Sequence, residues 1–435
     1  MKIAVRISSI ICWISFCILW LNSLFGKILT RSLYLKVSSV LGWCYLPITV
    51  ILVIYAATKR NERVAVAKNY SKLLMILPIL IAVTSPLYYK FGGVAEIYGM
   101  GYVTRWTSEY LSRICIILSI ASFFVICGKR FVNIALSSAI FISSILLFFT
   151  MYRYGVLNTI LGAILPNPTG YAEDTHLMME TNDISFTLGI FILYELFFES
   201  GKKKHLGKLI LAIIFFIMAG KRIGFAALAI AAVFGFVFHK RGINKTGIIF
   251  IGTAGIVILL GYLFLNYNDT MMSYLESIGI SSSGRDIIYE YFTKRTSFSP
   301  TFLGWGQAGV SKVIENMDVR EVGNAVIWRG LHCDILKRYI DCGFIGFIIW
   351  SSYNLIYLPL KINKWFGNKS ATVYMVVICY AFITYLTDNT DSMYTVQVLV
   401  YILPLIYYSQ NVTESNSLLK RIKNTAKISG EVSAL

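Results

Sequence analysis

Two adjacent cations, Lys221 and Arg222, interrupt a long apolar stretch, FIMAGKRIGFAAL at residues 216–228. A cation at the centre of a bilayer costs about 2.5–3.5 kcal/mol on insertion scales, so this pair needs an explanation. In a turn near the membrane surface the two side chains would form an anion site, because a guanidinium binds phosphate through two parallel hydrogen bonds. The alternative is a pair of interfacial cations that only extend towards water.

Arg285 and His332 are the next candidates for chemistry. Arg285 follows three serines and a glycine and precedes a helical pattern, where backbone N–H groups and a guanidinium can converge on an anion. His332 begins the segment HCDILKRYIDCGFIGFIIW and is a candidate phosphate contact or general base. A solvated loop arginine and a structural interfacial histidine are the corresponding alternatives.

Further residues are predicted to bind the same substrate. They are Lys221, Arg153, Arg329, Asp334 and Arg338. The last three lie within a few residues of His332 and are expected to orient it. Arg153 opens another segment, which contains a PNP turn and the acidic pair Glu173 and Asp174. We interpret that acidic pair as a solvated patch rather than as a contact to a sugar hydroxyl.

The composition places these candidates in a membrane protein. Of the 435 residues, 57% are hydrophobic and 14% are charged, and repeated apolar stretches have the length of membrane-spanning helices. The net charge of +18 is attributed to basic loops and a basic site, since no basic and aromatic surface typical of nucleic-acid binding is evident. Phosphate-loop, dinucleotide and zinc-protease motifs are absent from the sequence, and we expect no metal and no cofactor.

The apolar pattern predicts an all-α integral membrane protein with about twelve transmembrane helices. The predicted spans are about 7–25, 37–58, 73–89, 110–127, 131–151, 184–199, 204–220, 223–239, 246–265, 339–358, 372–387 and 395–409. Together they form one polytopic domain over residues 1–409. A polar cytoplasmic tail, residues 410–435, follows it and has a composition typical of disorder.

The cations at 221 and 222 separate the seventh span from the eighth because both flanks of this region are basic. KKKHLGK at 202–208 precedes it and HKRGINK at 239–245 follows it, and the positive-inside rule assigns both to the cytoplasm. A single crossing would leave one basic flank outside. Two crossings keep both flanks inside and place a tight turn at 220–222 on the outer side.

The same rule sets the remaining topology. Both termini are predicted to be cytoplasmic, and two long loops, at about 152–183 and 266–338, are predicted to be extracytoplasmic. The larger loop is expected to contain short helices, notably around 286–294, and a turn-rich segment, FSPTFLGWGQAG.

Taken in order, the motifs resemble those of the O-antigen polymerase and ligase superfamily of bacterial envelopes, most closely the Wzy-type polysaccharide polymerases. GKRIG lies in an outer turn, SGR lies in a large outer loop, and HCDIL leads into DCGFIGFIIW. RYG and NP precede the sixth span in a similar way. The resemblance covers roughly residues 150–350 together with the predicted number of helices.

This resemblance implies a membrane glycosyltransferase of the GT-C type in the bacterial cytoplasmic membrane. Such an enzyme polymerises oligosaccharide repeat units, carried on undecaprenyl diphosphate, into O-antigen or capsular polysaccharide on the outer face of that membrane. The family's diphosphate-binding arginines match Arg222 and Arg285, and its histidine at the end of the large loop matches His332. The implied partners are lipid-linked glycans as donor and acceptor, membrane lipid and a protein that regulates chain length.

The sequence also departs from the family pattern and leaves alternatives open. Cys333 stands where an asparagine often follows the histidine, and Lys221 stands beside the arginine. One alternative function is an O-antigen ligase, which transfers finished polymer to the lipid A core. Another is a flippase or transporter of lipid-linked oligosaccharides, although few ionisable residues fall within the predicted spans, all near helix ends: Arg113, Glu195 and Glu199.

Overall fold

In this computed structural model, all the regular secondary structure of the described residues is helical, which confirms the predicted all-α class. The structure describes residues 2–59, 61–91, 94–164, 178–199, 206–277, 285–316 and 331–411. In chain order the helices are α1 Lys2–Leu19, α2 Leu21–Ile28, α3 Arg31–Gly42, α4 Tyr45–Ala57, α5 Arg63–Phe91, α6 Val94–Cys127, α7 Phe131–Tyr154, α8 Val156–Ile164, α9 Asn182–Phe197, α10 Leu206–Met218, α11 Arg222–Phe238, α12 Lys245–Tyr267, α13 Thr270–Ser277, α14 Arg285–Thr293, α15 Gly309–Asn316, α16 Asp334–Ser352, α17 Leu358–Phe366, α18 Asn368–Tyr385 and α19 Tyr394–Asn411.

Several of these helices have the length and composition of membrane spans. Within the described part of the chain, five helical segments are long and apolar enough to cross a membrane, or six if α1 and α2, which meet at a bend of 43°, form one span. The apolar helices α10 and α11 are shorter, with 13 and 17 residues. The chain is therefore a helical membrane protein, and the count of twelve spans stays a prediction.

The break predicted between the seventh and eighth spans is present. Helix α10 ends at Met218 and α11 begins at Arg222, and Gly220 between them has a φ of +63°, which favours glycine. Helix α11 packs against α9 and α18, whereas α10 packs against α7 and α9. The two short helices are thus separate elements, joined at the Lys-Arg pair.

Two predicted loop regions are helical instead. Helix α5 begins at Arg63, inside the predicted loop at 59–72, because this segment buries one face and the Tyr70 hydroxyl donates to the Tyr401 carbonyl at 2.9 Å. Helix α6 begins at Val94, well before the predicted span at 110–127. In α6, Arg105 pairs with Glu109 and Arg113 pairs with Asp391, so these charges do not end the helix.

Arg113 therefore does not lie near a helix end, as the sequence suggested. It lies inside α6, and its guanidinium makes two hydrogen bonds with the Asp391 carboxylate, at 3.2 and 2.6 Å. The carboxylate compensates for the loss of water around the cation, which makes an arginine tolerable within an apolar helix.

The turn-rich segment before α15 packs against a kink in α16. Gly343 has a φ of +70° and interrupts the helix, which frees the carbonyls of Ile340 and Asp341. These carbonyls accept hydrogen bonds from the backbone N–H groups of Trp305 and Gly306, each at 2.8 Å. The predicted turn-rich segment is confirmed, and α14 confirms the helix expected around 286–294.

Candidate functional site

The loop between α18 and α19, residues 386–393, joins two clusters of charged side chains. Its Asp388 contacts Lys221 and His332, and its Asp391 contacts Arg113 and Arg338. We call the first group, with Glu180 and Asn182, the Asp388 cluster, and the second group, with Asp334, the Asp391 cluster.

Lys221 is held in the Asp388 cluster by two carboxylates. Its Nζ lies 3.1 Å from Asp388 Oδ2 and 2.5 Å from Glu180 Oε1. Its side chain is 13% exposed and that of Asp388 only 2%, so most of the water around both charges has been removed. The cation in the apolar stretch is therefore committed to an ion pair that links the start of α11 to the 386–393 loop.

His332 reaches the same carboxylate from the other side. Its Nδ1 lies 3.9 Å from Asp388 Oδ1, and its side chain remains 22% exposed. The residue has a φ of +49°, a left-handed conformation that costs a non-glycine residue about 1–2 kcal/mol. Strain of this kind concentrates at functional sites, where the surrounding structure holds the residue in place.

Helix α14 supports the His332 backbone and carries Arg285. The Tyr289 hydroxyl donates a hydrogen bond to the His332 carbonyl at 3.1 Å. Arg285, the first residue of α14, lies one turn before Tyr289 and on the same face of the helix. The half-buried arginine and the histidine are thus positioned by one short element, although 47 residues separate them in sequence.

Arg222, unlike Lys221, has no partner among the described residues. It is the first residue of α11 and is exposed, and it makes no hydrogen bond or ion pair with the part of the chain that the structure describes. A free guanidinium at the N-terminus of a helix is suited to an anion, because the helix dipole and its first N–H groups add to the attraction.

The electrostatics of the Asp388 cluster keep both partners charged. Burial raises the pKa of Asp388, but the neighbouring His332 imidazole and the Lys221 ammonium outweigh this effect and bring the pKa to about 2. Burial lowers the pKa of Lys221, but the carboxylates of Asp388 and Glu180 outweigh it and raise the pKa above the ordinary lysine value. The carboxylate beside His332 is therefore ionised throughout the physiological pH range.

The Asp391 cluster holds the other half of the 386–393 loop. Arg338 Nε donates to Asp391 Oδ2 at 2.8 Å, and Arg113 bonds to both oxygens of the same carboxylate. The Asp391 backbone N–H donates to Asp334 Oδ2 at 2.5 Å. Asp334 and Arg338, predicted to bind substrate, are both buried, and these contacts give them a part in anchoring the loop.

Cys333, which stands where the resemblance leads us to expect an asparagine, caps the start of a helix. It is the N-cap residue of α16, and its Sγ accepts a hydrogen bond from the Leu336 N–H at 3.4 Å. Asparagine is among the preferred residues at such a position, so the cysteine replaces a capping group with a weaker one. The Tyr262 hydroxyl lies 3.6 Å from this sulfur and donates to the Leu386 carbonyl at 2.6 Å, which connects the His332 segment to the 386–393 loop.

Of the remaining candidates, Arg153 is the one described, and no contact joins it to this site. Arg153 is exposed at the end of α7, and its guanidinium lies 5.4 Å from the ring centroid of Tyr154. Arg329 and the acidic pair Glu173 and Asp174 lie outside the described residues. Among the residues that the structure does describe, no group of three or more histidine, cysteine or acidic side chains could hold a metal ion.

Asp388, Asp391 and Glu180 were missed by the sequence reasoning. The first two belong to TDNTD at 387–391, a polar segment between the predicted eleventh and twelfth spans, on the side assigned to His332. Two acidic residues in so short a connection were the available signal. Nothing in the sequence paired them with cations more than fifty residues away.

The fold and this geometry define a class of protein: a helical membrane protein with paired cations and a histidine around one loop. Residues 208–351 match the family model for O-antigen ligase, a segment that contains Lys221, Arg222, Arg285 and His332. This match supports membership of the chain in the O-antigen ligase and polymerase superfamily. No protein with curated annotation shows significant similarity to it.

Proposed function

We propose that the protein polymerises lipid-linked oligosaccharide repeat units on the outer face of the bacterial cytoplasmic membrane. The donor is a glycan on undecaprenyl diphosphate, and the acceptor is a sugar hydroxyl at the non-reducing end of another lipid-linked chain. The observation that carries this proposal is the Asp388 cluster, which brings His332 and Lys221 to one carboxylate beside the uncommitted Arg222. Membership in a superfamily of O-antigen ligases and polymerases supports the same reaction.

In the proposed reaction, His332 acts as the general base. The acceptor oxygen attacks the anomeric carbon of the donor sugar while its proton passes to the imidazole. The bond between the anomeric carbon and the diphosphate oxygen breaks, and undecaprenyl diphosphate leaves with the electron pair. Arg222 and Arg285 bind the negative charge that develops on the leaving group, a type of stabilisation that contributes about 10²–10³ in kcat per donor in other enzymes.

Asp388 and Lys221 are positioning residues in this proposal. The ionised carboxylate orients His332 and stabilises the imidazolium that forms when the proton arrives, as an aspartate does beside a catalytic histidine in hydrolases. Lys221 fixes the carboxylate from the opposite side and attaches the start of α11 to it, so that Arg222 has a defined place. The protonated histidine then returns its proton to solvent.

Incubation of the purified protein with lipid-linked repeat units, with the products separated by length, tests the proposed reaction. A ladder of products that lengthen by one repeat unit is expected. Single-repeat products from the wild-type protein, under conditions in which it binds the donor, would contradict polymerisation.

An O-antigen ligase is the second candidate, because the matching family model carries that description. A gene deletion separates the two functions in cells. Loss of a polymerase leaves lipid A core capped with a single repeat unit, whereas loss of a ligase leaves long polymer on its lipid carrier. We expect the first outcome.

A further inference from the structure

A large polar cavity lies on the Asp391 side of the 386–393 loop. Its volume is about 790 Å³, and cavities of roughly 300–1,000 Å³ are typical of ligand sites. It is lined by residues of α6, α15, the start of α16 and the 386–393 loop. Leu331 and Asn389, the sequence neighbours of His332 and Asp388, belong to its wall, so the cavity extends to the edge of the proposed catalytic site.

The charges on the cavity wall are balanced. The cations are Arg105, Arg113, Lys337 and Arg338. The acidic residues are Glu109, Glu315, Asp334 and Asp391. An anion such as a diphosphate gains little from a wall whose cations are each paired with a carboxylate. Arg222, which is exposed and has no ion pair among the described residues, is better suited to such an anion.

The wall combines hydrogen-bond donors and acceptors with an aromatic side chain. Ser311 Oγ donates to Glu109 Oε1 at 2.8 Å, and Lys337 Nζ lies 3.4 Å from Glu109 Oε2. Arg338 is 4% exposed, and its Nη1 has no hydrogen-bond partner among the described residues. Tyr45 adds an aromatic side chain to this wall. Sugar hydroxyls, which donate and accept, match such a lining better than a purely anionic or purely apolar ligand does.

We infer that this cavity binds the acceptor glycan, with the end of the chain directed towards His332. The inference rests on the proposed function, and it adds a place for the second substrate. The 386–393 loop then separates two sites of different chemistry: the side of the exposed Arg222 for the diphosphate of the donor, and a polar cavity with paired charges for the sugars of the acceptor. Asp388 and Asp391, three residues apart, each anchor one side of that division.

The test uses the full chain in lipid nanodiscs and a substitution that fills the cavity. Ser108 lines the cavity on α6, whereas the neighbouring Thr107 is exposed and is not part of the wall. Ser108→Trp is therefore compared with Thr107→Trp. Binding is measured for two probes: the oligosaccharide repeat unit released from the host's own surface polysaccharide, and undecaprenyl diphosphate without sugar. Steady-state assays add the KM values for the free oligosaccharide as acceptor and for the lipid-linked donor.

Ser108→Trp should weaken oligosaccharide binding and raise the acceptor KM at least about tenfold, which corresponds to ~1.4 kcal/mol. Undecaprenyl diphosphate binding and the donor KM should stay within about twofold, and Thr107→Trp should change neither. Unchanged oligosaccharide binding, or a change confined to undecaprenyl diphosphate or the donor, would overturn the assignment. If Ser108→Trp fails to fold, Glu315→Ala decides in its place, since its 42% exposed carboxylate lies on the same wall.

The two proposals fail in different ways. A wild-type protein that binds the oligosaccharide in this cavity but makes no polymer from lipid-linked units would refute the polymerase function and leave the glycan site in place. If the wild-type protein makes polymer and Ser108→Trp binds the acceptor as tightly as the wild-type protein does, the polymerase function is retained and the cavity assignment is refuted.

Discussion

Replacing Asp388 by asparagine removes one negative charge beside the proposed base with little change in shape. The structure gives the size of the effect, because a unit charge on His332 Nδ1 at 3.9 Å from Asp388 Oδ1 interacts by about 4 kcal/mol at an effective dielectric constant of ~20. The His332 side chain is 22% exposed and the carboxylate is shared with Lys221, so we take half of this energy. About 2 kcal/mol corresponds to a fall in kcat of roughly 30-fold.

The assay is the rate of polymer elongation at saturating donor, measured over a range of pH. The lower kcat should be found across the whole pH range, because the imidazolium that forms in the transition state loses the carboxylate that stabilises it. The donor KM should not rise, since Lys221 keeps Glu180 and becomes more available to an anion. Loss of a purely structural aspartate would lower the amount of folded protein without lowering kcat per folded molecule.

Asp269→Asn is the matched control. Asp269 is exposed, lies just after α12 and has a positive φ of 54°, which asparagine tolerates. Its rate and pH profile should equal those of the wild-type protein. An Asp388→Asn protein with wild-type kcat would refute the role of the Asp388 cluster in catalysis.

Three further predictions follow from the geometry. Arg222→Ala and Arg285→Ala should each lower kcat by about 10²–10³ while the protein still inserts and folds. If either variant makes polymer of normal length at the wild-type rate, the arginine replaced in that variant is not part of the site. The carboxyl of Asp388 has a pKa of about 2 in the folded protein and of ~3.9 in an unfolded chain. This difference contributes about 2–3 kcal/mol to the free energy of unfolding. The contribution is complete above pH ~4 and is lost as the pH falls to ~2. The unfolding temperature of the wild-type protein should therefore drop more steeply over that range than that of Asp388→Asn, and equal slopes would contradict the linkage. Gly343→Ala should lower the unfolding temperature by the equivalent of roughly 2–4 kcal/mol, because its φ is +70° and a Cβ would lie 2.3 Å from the backbone of Leu303. Gly261→Ala, whose Cβ would meet nothing within 4 Å, is the control, and equal unfolding temperatures would contradict this account.

The elements near the proposed site could be predicted from local features. Basic flanks and a Gly-Lys-Arg sequence were sufficient to place a break before Arg222, and a polar amphipathic stretch was sufficient to place α14. Helix limits were predicted less well where charges are paired. Helix α6 continues far beyond its apolar part because Arg105 and Glu109 interact one turn apart and Arg113 finds Asp391.

The sequence alone determined the kind of protein and the kinds of side chains available. Apolar runs of bilayer length require helices, since a lipid environment leaves backbone groups no other partner, and a misplaced Lys-Arg pair marked a place of interest. Only the tertiary structure decided how the charges are shared. It pairs Lys221 with Asp388 and Glu180, leaves Arg222 without a partner among the described residues, and places His332 beside a carboxylate 56 positions further along the chain. Ion pairs between distant segments depend on which helices pack side by side, and the periodicity of an apolar helix does not encode its neighbours.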